Sequence, residues 1–521
     1  MRTPCDEAVV RSGRAGTPCG REAGPWILAA TILGSSMAFI DSTVVNVALP
    51  AVQANFHATV VDVQWVVESY GLFLGALILV GGSLGDLFGR RLIFVVGVAI
   101  FAVASAACGA ASNIEQLIIA RSIQGLGAAL LVPGSLAIIS AAFDEKSRGQ
   151  AIGTWSGFTA ITTAIGPVLG GWLVEHASWR WVFFINIPLA AGVIAISVWR
   201  IPESRNSGAG RIDWSGALLA TIGLGGLVAG FIESVNAGWR NPLVLGSLMA
   251  GFGCLVVLVV VEAKVNSPML PLGLFESRSF SGANLLTFFL YSAIGIFFFL
   301  WPLNLIQVQG YSATAAGAAV LPFILLMFVL SRWSGGLVAR YGSRAPLIVG
   351  PLIAALGFAL FAMPSVGDSY WKTFFPAIIV LGFGMAVTVA PLTTVVMNSV
   401  SRDRVGAASG INNAVARVAG VLAIAVLGIV MLKAFSLRLN HNLGHSLPPG
   451  ILQEIQADEI KLAGLPVPVG LSPDTTAAIK ESIGQAFVFG FRTIMLICAS
   501  LSLASAAAAG LLIAGQKRKT I

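Results

Sequence analysis

The sequence has very little charge. Asp, Glu, Lys and Arg make up 10% of its 521 residues, whereas soluble domains carry about 25%. The mean hydropathy is +0.88, and apolar runs of about 20 residues, the length of a transmembrane helix, recur along the chain. Because backbone groups in lipid must be hydrogen-bonded within the protein, these runs predict an all-α polytopic membrane protein.

Residues for catalysis and metal binding are also scarce. The chain has four histidines, and none belongs to a catalytic pattern. No G-x-x-x-x-G-K-[ST] motif is present, which argues against an ATP-driven pump. The five cysteines are dispersed and have neither disulfide-framework nor metal-ligand spacing. We therefore expect no enzyme, no metal site and no cofactor, so that active transport would use the proton motive force.

The net charge of +8 does not indicate a nucleic-acid partner. The basic residues are scattered over short loops rather than clustered on one domain. Most of them fall in the predicted tails and loops on one side of the membrane. The positive-inside rule assigns that side to the cytoplasm. This distribution predicts that both termini are cytoplasmic, and the composition is typical of a bacterial cytoplasmic membrane protein.

Fourteen membrane spans are predicted from the apolar runs. They are 26–48, 64–85, 92–112, 116–140, 149–174, 181–199, 214–234, 243–262, 280–306, 315–338, 346–365, 372–397, 405–432 and 485–514. The predicted domains are an N-terminal tail (1–25), a six-helix bundle (26–199), a linker with two extra helices (200–279), a second six-helix bundle (280–515) with a long outside loop (433–484), and a C-terminal tail (516–521).

The loop at 82–91 follows the pattern G-x-L-x-D-x-x-G-R-R. Gly82 and Gly89 allow a tight turn and close backbone approach. Arg90 and Arg91 mark the loop as cytoplasmic. We interpret the loop as part of the gating machinery.

Asp86 is the unusual member of this loop. It lies at the C-terminal end of a predicted helix, where the helix dipole disfavours a negative charge. The expected partner is the N-terminus of the thirteenth span, near 401–404, so that Asp86 would help to hold an inside gate closed. Asp86→Asn should then weaken transport without abolishing expression.

The second half of the chain contains an echo of this loop. Residues 335–344 align with 82–91 at the glycines, the leucine and the final arginine, and Ala339 replaces the aspartate. A second echo pairs 148–153 with 404–410. Two related halves with a pair of inserted helices are a transporter architecture, in which the site lies between the repeats near the membrane midplane.

Several stretches together resemble the major facilitator superfamily, in particular its fourteen-helix drug:proton antiporters of the EmrB/QacA type. The resemblance covers about 26–515. The stretches are 82–91, Asp41–Pro50, Arg121–Ala128, the glycine-rich part of the fifth span from Gly157 to Gly171, and Trp179–Pro188. The resemblance implies two six-helix bundles plus an inserted pair, and it ties the first-helix acid Asp41 and the fourth-helix arginine Arg121 to coupling.

Three ionisable residues lie inside predicted spans of the first half: Asp41, Glu68 and Arg121. Such groups cost about 2.5–3.5 kcal/mol each on insertion scales, so they usually have a function. We expect all three in the outer half of the membrane, facing a shared cavity. The hypothesis is that Asp41 and Glu68 include the proton-binding carboxylate; which of them does so stays open, as does a structural role for each.

Polar residues of the second half are candidates for the same cavity, and we select Asn413 and Arg417.

Gly166 and Pro167, with Gly170 and Gly171, interrupt the fifth span. Proline kinks a helix and small residues let a neighbour approach closely. The functional interpretation is a gating seam, and the alternative is ordinary helix packing.

The predicted function is export of small, mostly hydrophobic or cationic compounds, drugs or natural products, in exchange for protons by alternating access. Because Arg332 and Arg417 suit a negative charge, the alternative is a proton-coupled transporter of a specific small metabolite or anion. The expected partners are the substrate, protons and the lipid bilayer. The architecture permits a periplasmic adaptor, but nothing in the sequence supports one.

Overall fold

The computed structural model describes residues 24–513 except 144, 206–211, 266–267, 402–403, 445–446 and 469. In this part of the chain, fourteen helices are long and apolar enough to cross a membrane. The predicted all-α fold with fourteen spans is therefore confirmed. The 1–23 and 514–521 tails lie outside the described residues.

The first half and the inserted pair contain nine helices in the described ranges. They are α1 (Gly24–Phe56), α2 (Val60–Phe88), α3 (Arg90–Ala110), α4 (Ile114–Ala142), α5 (Glu145–His176), α6 (Trp181–Phe184), α7 (Asn186–Arg200), α8 (Trp214–Ala237) and α9 (Pro242–Glu262). The short α6 leads directly into α7, and the two form one span, Trp181–Arg200.

The second half continues with nine more helices among the described residues. They are α10 (Arg278–Leu303), α11 (Ala313–Ala318), α12 (Leu321–Gly335), α13 (Leu337–Tyr341), α14 (Arg344–Phe361), α15 (Phe375–Asn398), α16 (Val405–Leu443), α17 (Pro449–Ala457) and α18 (Pro473–Leu512). Five-residue π-helical turns follow α10 (Asn304–Val308) and precede α15 (Tyr370–Phe374).

Helix α1 is longer than the sequence predicted. It continues through Pro50 to Phe56 rather than ending at 48. A proline removes only its own N–H from the ladder, so a helix packed by its neighbours can run through it. Asp41 therefore lies near the middle of α1.

The predicted loop 433–484 is partly helical. Helix α16 extends to Leu443 and α18 begins at Pro473. The apolar run sets the length that lies in lipid, but backbone hydrogen bonds carry the helix beyond it into polar sequence. We call the membrane face at which α1 ends at Phe56 and α16 ends at Leu443 the loop face.

The chain divides into two compact units. The first contains the residues up to Val45, Ser69–Leu227 and Met249–Leu272, and the second contains Asn46–Glu68, Val228–Leu248 and the described residues from Gly273 onward. The loop-face ends of α1, α2, α8 and α9 thus belong to the second unit.

A buried aspartate caps the inserted pair. Asp213 Oδ1 accepts hydrogen bonds from the Gly216 N–H (2.8 Å) and the Ser215 hydroxyl (2.6 Å), at the start of α8. Burial alone would raise the pKa of Asp213, but these hydrogen bonds outweigh it and hold the pKa below its ordinary value. The cap satisfies the first turn of α8.

Candidate functional site

A buried ion pair joins α1 to α4. The Arg121 guanidinium donates through Nη1 to Asp41 Oδ2 at 2.5 Å. Asp41 is 0% exposed and Arg121 is 1% exposed. A buried pair of this kind is stable only if its remaining hydrogen-bonding capacity is satisfied.

Neighbouring amide side chains satisfy the remaining hydrogen-bonding capacity of Asp41. Gln124 Nε2 donates to Asp41 Oδ1 at 2.8 Å, and Asn186 Nδ2 donates to the same oxygen at 3.3 Å. The Ser105 hydroxyl accepts from both amides, at 2.6 and 3.1 Å. Four helices, α1, α3, α4 and α7, therefore converge on one polar cluster.

The Arg121 guanidinium also has further partners besides Asp41. Arg121 Nη1 also donates to Gln124 Oε1 at 2.6 Å. The Arg121 Cζ atom lies 4.3 Å from the centre of the Tyr70 ring and 5.9 Å from that of Phe183. Cation–π contacts of this length favour the charged arginine in a buried site. The cluster thus surrounds the Asp41–Arg121 pair with hydrogen-bonding and aromatic partners from the same unit.

Sequence reasoning selected Asp41 and Arg121 but missed Gln124, Asn186 and Ser105. Gln124 and Asn186 lie in stretches that carry the family resemblance. One signal for Gln124 was its spacing from Arg121, since residues three apart share a helix face. No comparable signal marks Ser105, because a serine in an apolar helix is ordinary.

Glu68 lies in a different environment. Its side chain on α2 is 0% exposed. Neither carboxyl oxygen has a hydrogen-bond partner among the described residues. The structure therefore separates the two acids that the sequence considered as a pair: Asp41 is hydrogen-bonded to Arg121, and Glu68 is not.

The part of α2 that leads to Glu68 packs within the second unit. Trp65 Nε1 donates to Glu233 of α8 at 2.9 Å, and Gln64 Nε2 donates to the Ile424 carbonyl of α16 at 3.4 Å. An apolar cluster surrounds these contacts. Its buried members are Val61, Val228, Ile232, Val421 and Ala425.

Near the end of α1, the amide side chain of Gln53 makes two further hydrogen bonds to residues of the second half. Gln53 is buried; its Nε2 donates to the Lys461 carbonyl at 3.1 Å, and its Oε1 accepts from Gln307 Nε2 at 2.8 Å. A cavity of about 760 Å³, lined in part by Gln307 and Lys480, lies beside this contact. We call the contacts of Gln53 and Gln64, with the cluster around Val61, the loop-face seam.

The predicted loop at 82–91 is almost wholly helical, because α2 continues to Phe88 and α3 begins at Arg90, so that only Gly89 forms the turn. The chain that follows α7 holds this turn in place. Gly89 has φ +124°, and a Cβ there would lie 2.6 Å from the Glu203 carboxyl carbon. Glu203 accepts hydrogen bonds from the N–H groups of Arg91 and Leu92, each at 3.0 Å. Only glycine suits this turn, and Glu203, which sequence reasoning missed, caps α3.

The partner that the structure shows for Asp86 is Arg90. The two form an ion pair at 2.8 Å within the loop itself. The expected partners at the start of the thirteenth span include Arg402 and Asp403, which lie outside the described residues. An ion pair between residues four apart forms readily across a helix junction. Gly82 lies one turn before Asp86 and packs near Pro133.

The glycines of α5 bring this helix against α1. A Cβ on Gly166 would lie 2.3 Å from Thr43 Oγ1, and one on Gly170 would lie 2.8 Å from Val44 Cγ1. Pro167 and Gly171 are buried beside them. A Cβ on Gly157 in the same helix would have no atom of the described residues within 4 Å. The close approach is therefore local to the Gly166–Gly171 segment.

The candidate cavity residues of the second half are more exposed than the Asp41 cluster. Asn413 is exposed, and its Nδ2 donates to the Ser409 carbonyl of its own helix. Its neighbour Asn412 instead links α16 to α10, through Asn284 and Thr287. Arg417 is half-buried and interacts electrostatically with Tyr291. Within the described ranges, no group of three or more His, Cys, Asp or Glu side chains is placed to hold a metal ion.

A family model describing the major facilitator superfamily matches residues 31–213 and 214–424. The chain belongs to the major facilitator superfamily. It is thus a multi-pass membrane transporter and not an enzyme, with a small-molecule substrate. The family assignment agrees with the resemblance drawn from the motifs.

Relatives and solved structures of this superfamily cover most of the chain. Multidrug resistance protein Stp of Mycobacterium tuberculosis is 36% identical over 83% of this chain and 80% of its own length. The tetracenomycin C resistance and export protein of Streptomyces glaucescens is 32% identical over 96% and 94%. A bacterial homologue of the human lysosomal transporter Spinster matches with a TM-score of 0.65 and 18% identity, over 96% of this chain and all of that one.

Proposed function

We propose that this major facilitator superfamily transporter exports small, mostly hydrophobic or cationic compounds in exchange for protons. The observation that carries the proposal is the nearly full-length similarity to a resistance and export protein. Other relatives are named for resistance to methylenomycin A and puromycin. Export of drugs and export of natural products are both consistent with such relatives.

The buried carboxyls support proton exchange. Asp41 and Glu68 are both 0% exposed inside membrane-spanning helices. Ionisable groups at such depth are costly and usually serve transport or proton relay. No cofactor is needed for this chemistry, because the proton gradient supplies the free energy.

We place the protein in the bacterial cytoplasmic membrane with both termini in the cytoplasm. The positive residues of the 82–91 loop and of its echo at 335–344 support this orientation. The loop face is then the outer face. The relatives named above come from bacteria, which agrees with this location.

Transport of ethidium into energised inverted vesicles tests the proposal. Inverted vesicles acidified inside should accumulate ethidium, and an uncoupler should abolish the uptake. Vesicles without the protein provide the control for passive entry. A correctly inserted protein that moves no cation would contradict this substrate class and favour an anion or metabolite, with Arg417 the next residue to vary.

A further inference from the structure

Glu68 has a costly environment for a charged group. Its carboxyl is fully buried in α2 and lacks a hydrogen-bond donor among the described residues. An ionised carboxylate without a partner loses its hydration and regains little, whereas the neutral acid loses much less. The packing around Glu68 is therefore suited to a carboxyl that carries a proton.

Glu68 also lies on the face that forms the loop-face seam. Val61, Gln64 and Trp65 of α2 contact or cluster with α8 and α16. Glu68 is one helical turn beyond Gln64 on the same face, since residues four apart lie above one another on a helix. The seam contacts thus lie one turn along α2 from Glu68, on the helix face that Glu68 shares.

Three charged groups lie on α2 or on the helices that pack against its first turns. Glu233 of α8 accepts a hydrogen bond from Trp65. Asp62 at the start of α2 is bound by the N–H and hydroxyl of Thr59. Arg417 of α16 is the cation further along that helix, and it makes no hydrogen bond to Glu68 among the described residues. None of the three is a hydrogen-bond partner of Glu68 among the described residues, so no hydrogen bond would offset a charge on its carboxyl.

We propose that Glu68 is the protonation site of the exchange and that the loop-face seam closes only when Glu68 carries a proton. This inference rests on the proposed proton exchange. When the seam is open, water reaches the Glu68 carboxylate and a proton from the loop face adds to one of its oxygens. Closing over the neutral acid then buries the proton, and closing over the anion is disfavoured.

The Asp41 cluster has the complementary role. Asp41 is bound by Arg121, Gln124 and Asn186, so its ionised form is compensated in the same structure. Asp41 positions helices and binding groups, while Glu68 responds to the proton. Because protonation favours one conformation, acidification must shift the population towards the closed seam.

Distance measurements between two spin labels test this coupling. One label replaces Ala54 at the end of α1 and the other replaces Ala457 at the end of α17; both positions are exposed. Cys5, Cys19 and Cys254 are replaced by serine, while Cys108 and Cys498 are buried and remain. The protein is measured in lipid nanodiscs between about pH 8 and about pH 5.5.

We expect the short-distance population to rise at least about threefold on acidification of the otherwise wild-type protein. Glu68→Gln, a neutral side chain of similar shape, should show the short distance at both pH values. Glu68→Asp keeps a titratable group and should keep a pH dependence. Glu454→Gln, at an exposed position of α17, is the matched control and should behave as the wild type.

A Glu68→Gln protein that retains the wild-type pH dependence would overturn the inference, as would a wild type without any pH dependence. Ethidium export is measured in parallel. If the seam responds to pH through Glu68 but export is insensitive to the proton gradient, the proposed exchange fails, and the assignment of Glu68 as its protonation site fails with it. The proton-dependent closing of the seam would then stand alone. If export is proton-driven but the seam ignores Glu68, this inference alone fails.

Discussion

Asp41 and Glu68 are two carboxyls with the same burial and opposite surroundings. Both are 0% exposed. Asp41 is paired with a buried arginine and hydrogen-bonded by two amides, whereas Glu68 has no hydrogen-bond partner among the described residues. The two acids therefore differ in the donors that surround them and not in their burial.

The largest effect should come from removing the charge of Asp41. Asp41→Asn leaves Arg121 buried without its counter-ion, and breaking a buried pair in this way costs about 3–5 kcal/mol. We expect a lower melting temperature in detergent and a lower yield of folded protein. Thermal unfolding followed by size-exclusion chromatography measures both.

A double variant separates charge from shape in this experiment. Asp41→Asn with Arg121→Gln removes both charges and should recover most of the stability, because no uncompensated ion remains. Export of ethidium should be low in both the single and the double variant, because each lacks the buried ion pair. A wild-type melting temperature for the single Asp41→Asn variant would remove the contrast between the two acids.

Glu68→Gln should have the opposite profile. The substitution keeps the shape and removes a group that is costly to ionise, so the melting temperature should be unchanged or higher. Export of ethidium should fall at least about tenfold, equivalent to about 1.4 kcal/mol. Wild-type export by this variant would show that the proton is carried elsewhere.

A smaller effect is expected at the edge of the Asp41 cluster. Asn186→Ala removes a donor to Asp41 and to Ser105, while Arg121 and Gln124 remain. A single hydrogen bond contributes about 0.5–1.5 kcal/mol, and the melting temperature should fall accordingly. Asn413→Ala, at an exposed position, is the matched control and should unfold as the wild type; equal losses in both would mean that the cluster is not specially stabilised.

The smallest change in stability is expected for Asp86→Asn. Its ion pair with Arg90 is partly exposed and joins residues four apart, and such pairs contribute about 0.3–0.5 kcal/mol. The melting temperature and expression should hardly change, while transport should weaken if the loop takes part in gating. An unaltered transport rate would count against that role.

The sequence was sufficient for the class of fold because the decisive signals are local. An apolar run of sufficient length predicts a span wherever it lies, and the fourteen predicted spans and the family assignment are confirmed. Helix ends were less predictable. Helix α1 passes through Pro50 and α16 continues to Leu443, because packing and backbone hydrogen bonds extend helices beyond their apolar runs.

The sequence by itself determined that Asp41, Glu68 and Arg121 lie in membrane-spanning helices of a major facilitator superfamily transporter. Only the tertiary structure decided how their charges are compensated. Asp41 and Arg121 are 80 positions apart in the chain, and Asn186 joins them from yet another helix. Contacts of this range depend on how helices pack, and the stability of a buried charge depends on those contacts. The same packing left Glu68 buried without a hydrogen-bond partner in the described part of the chain.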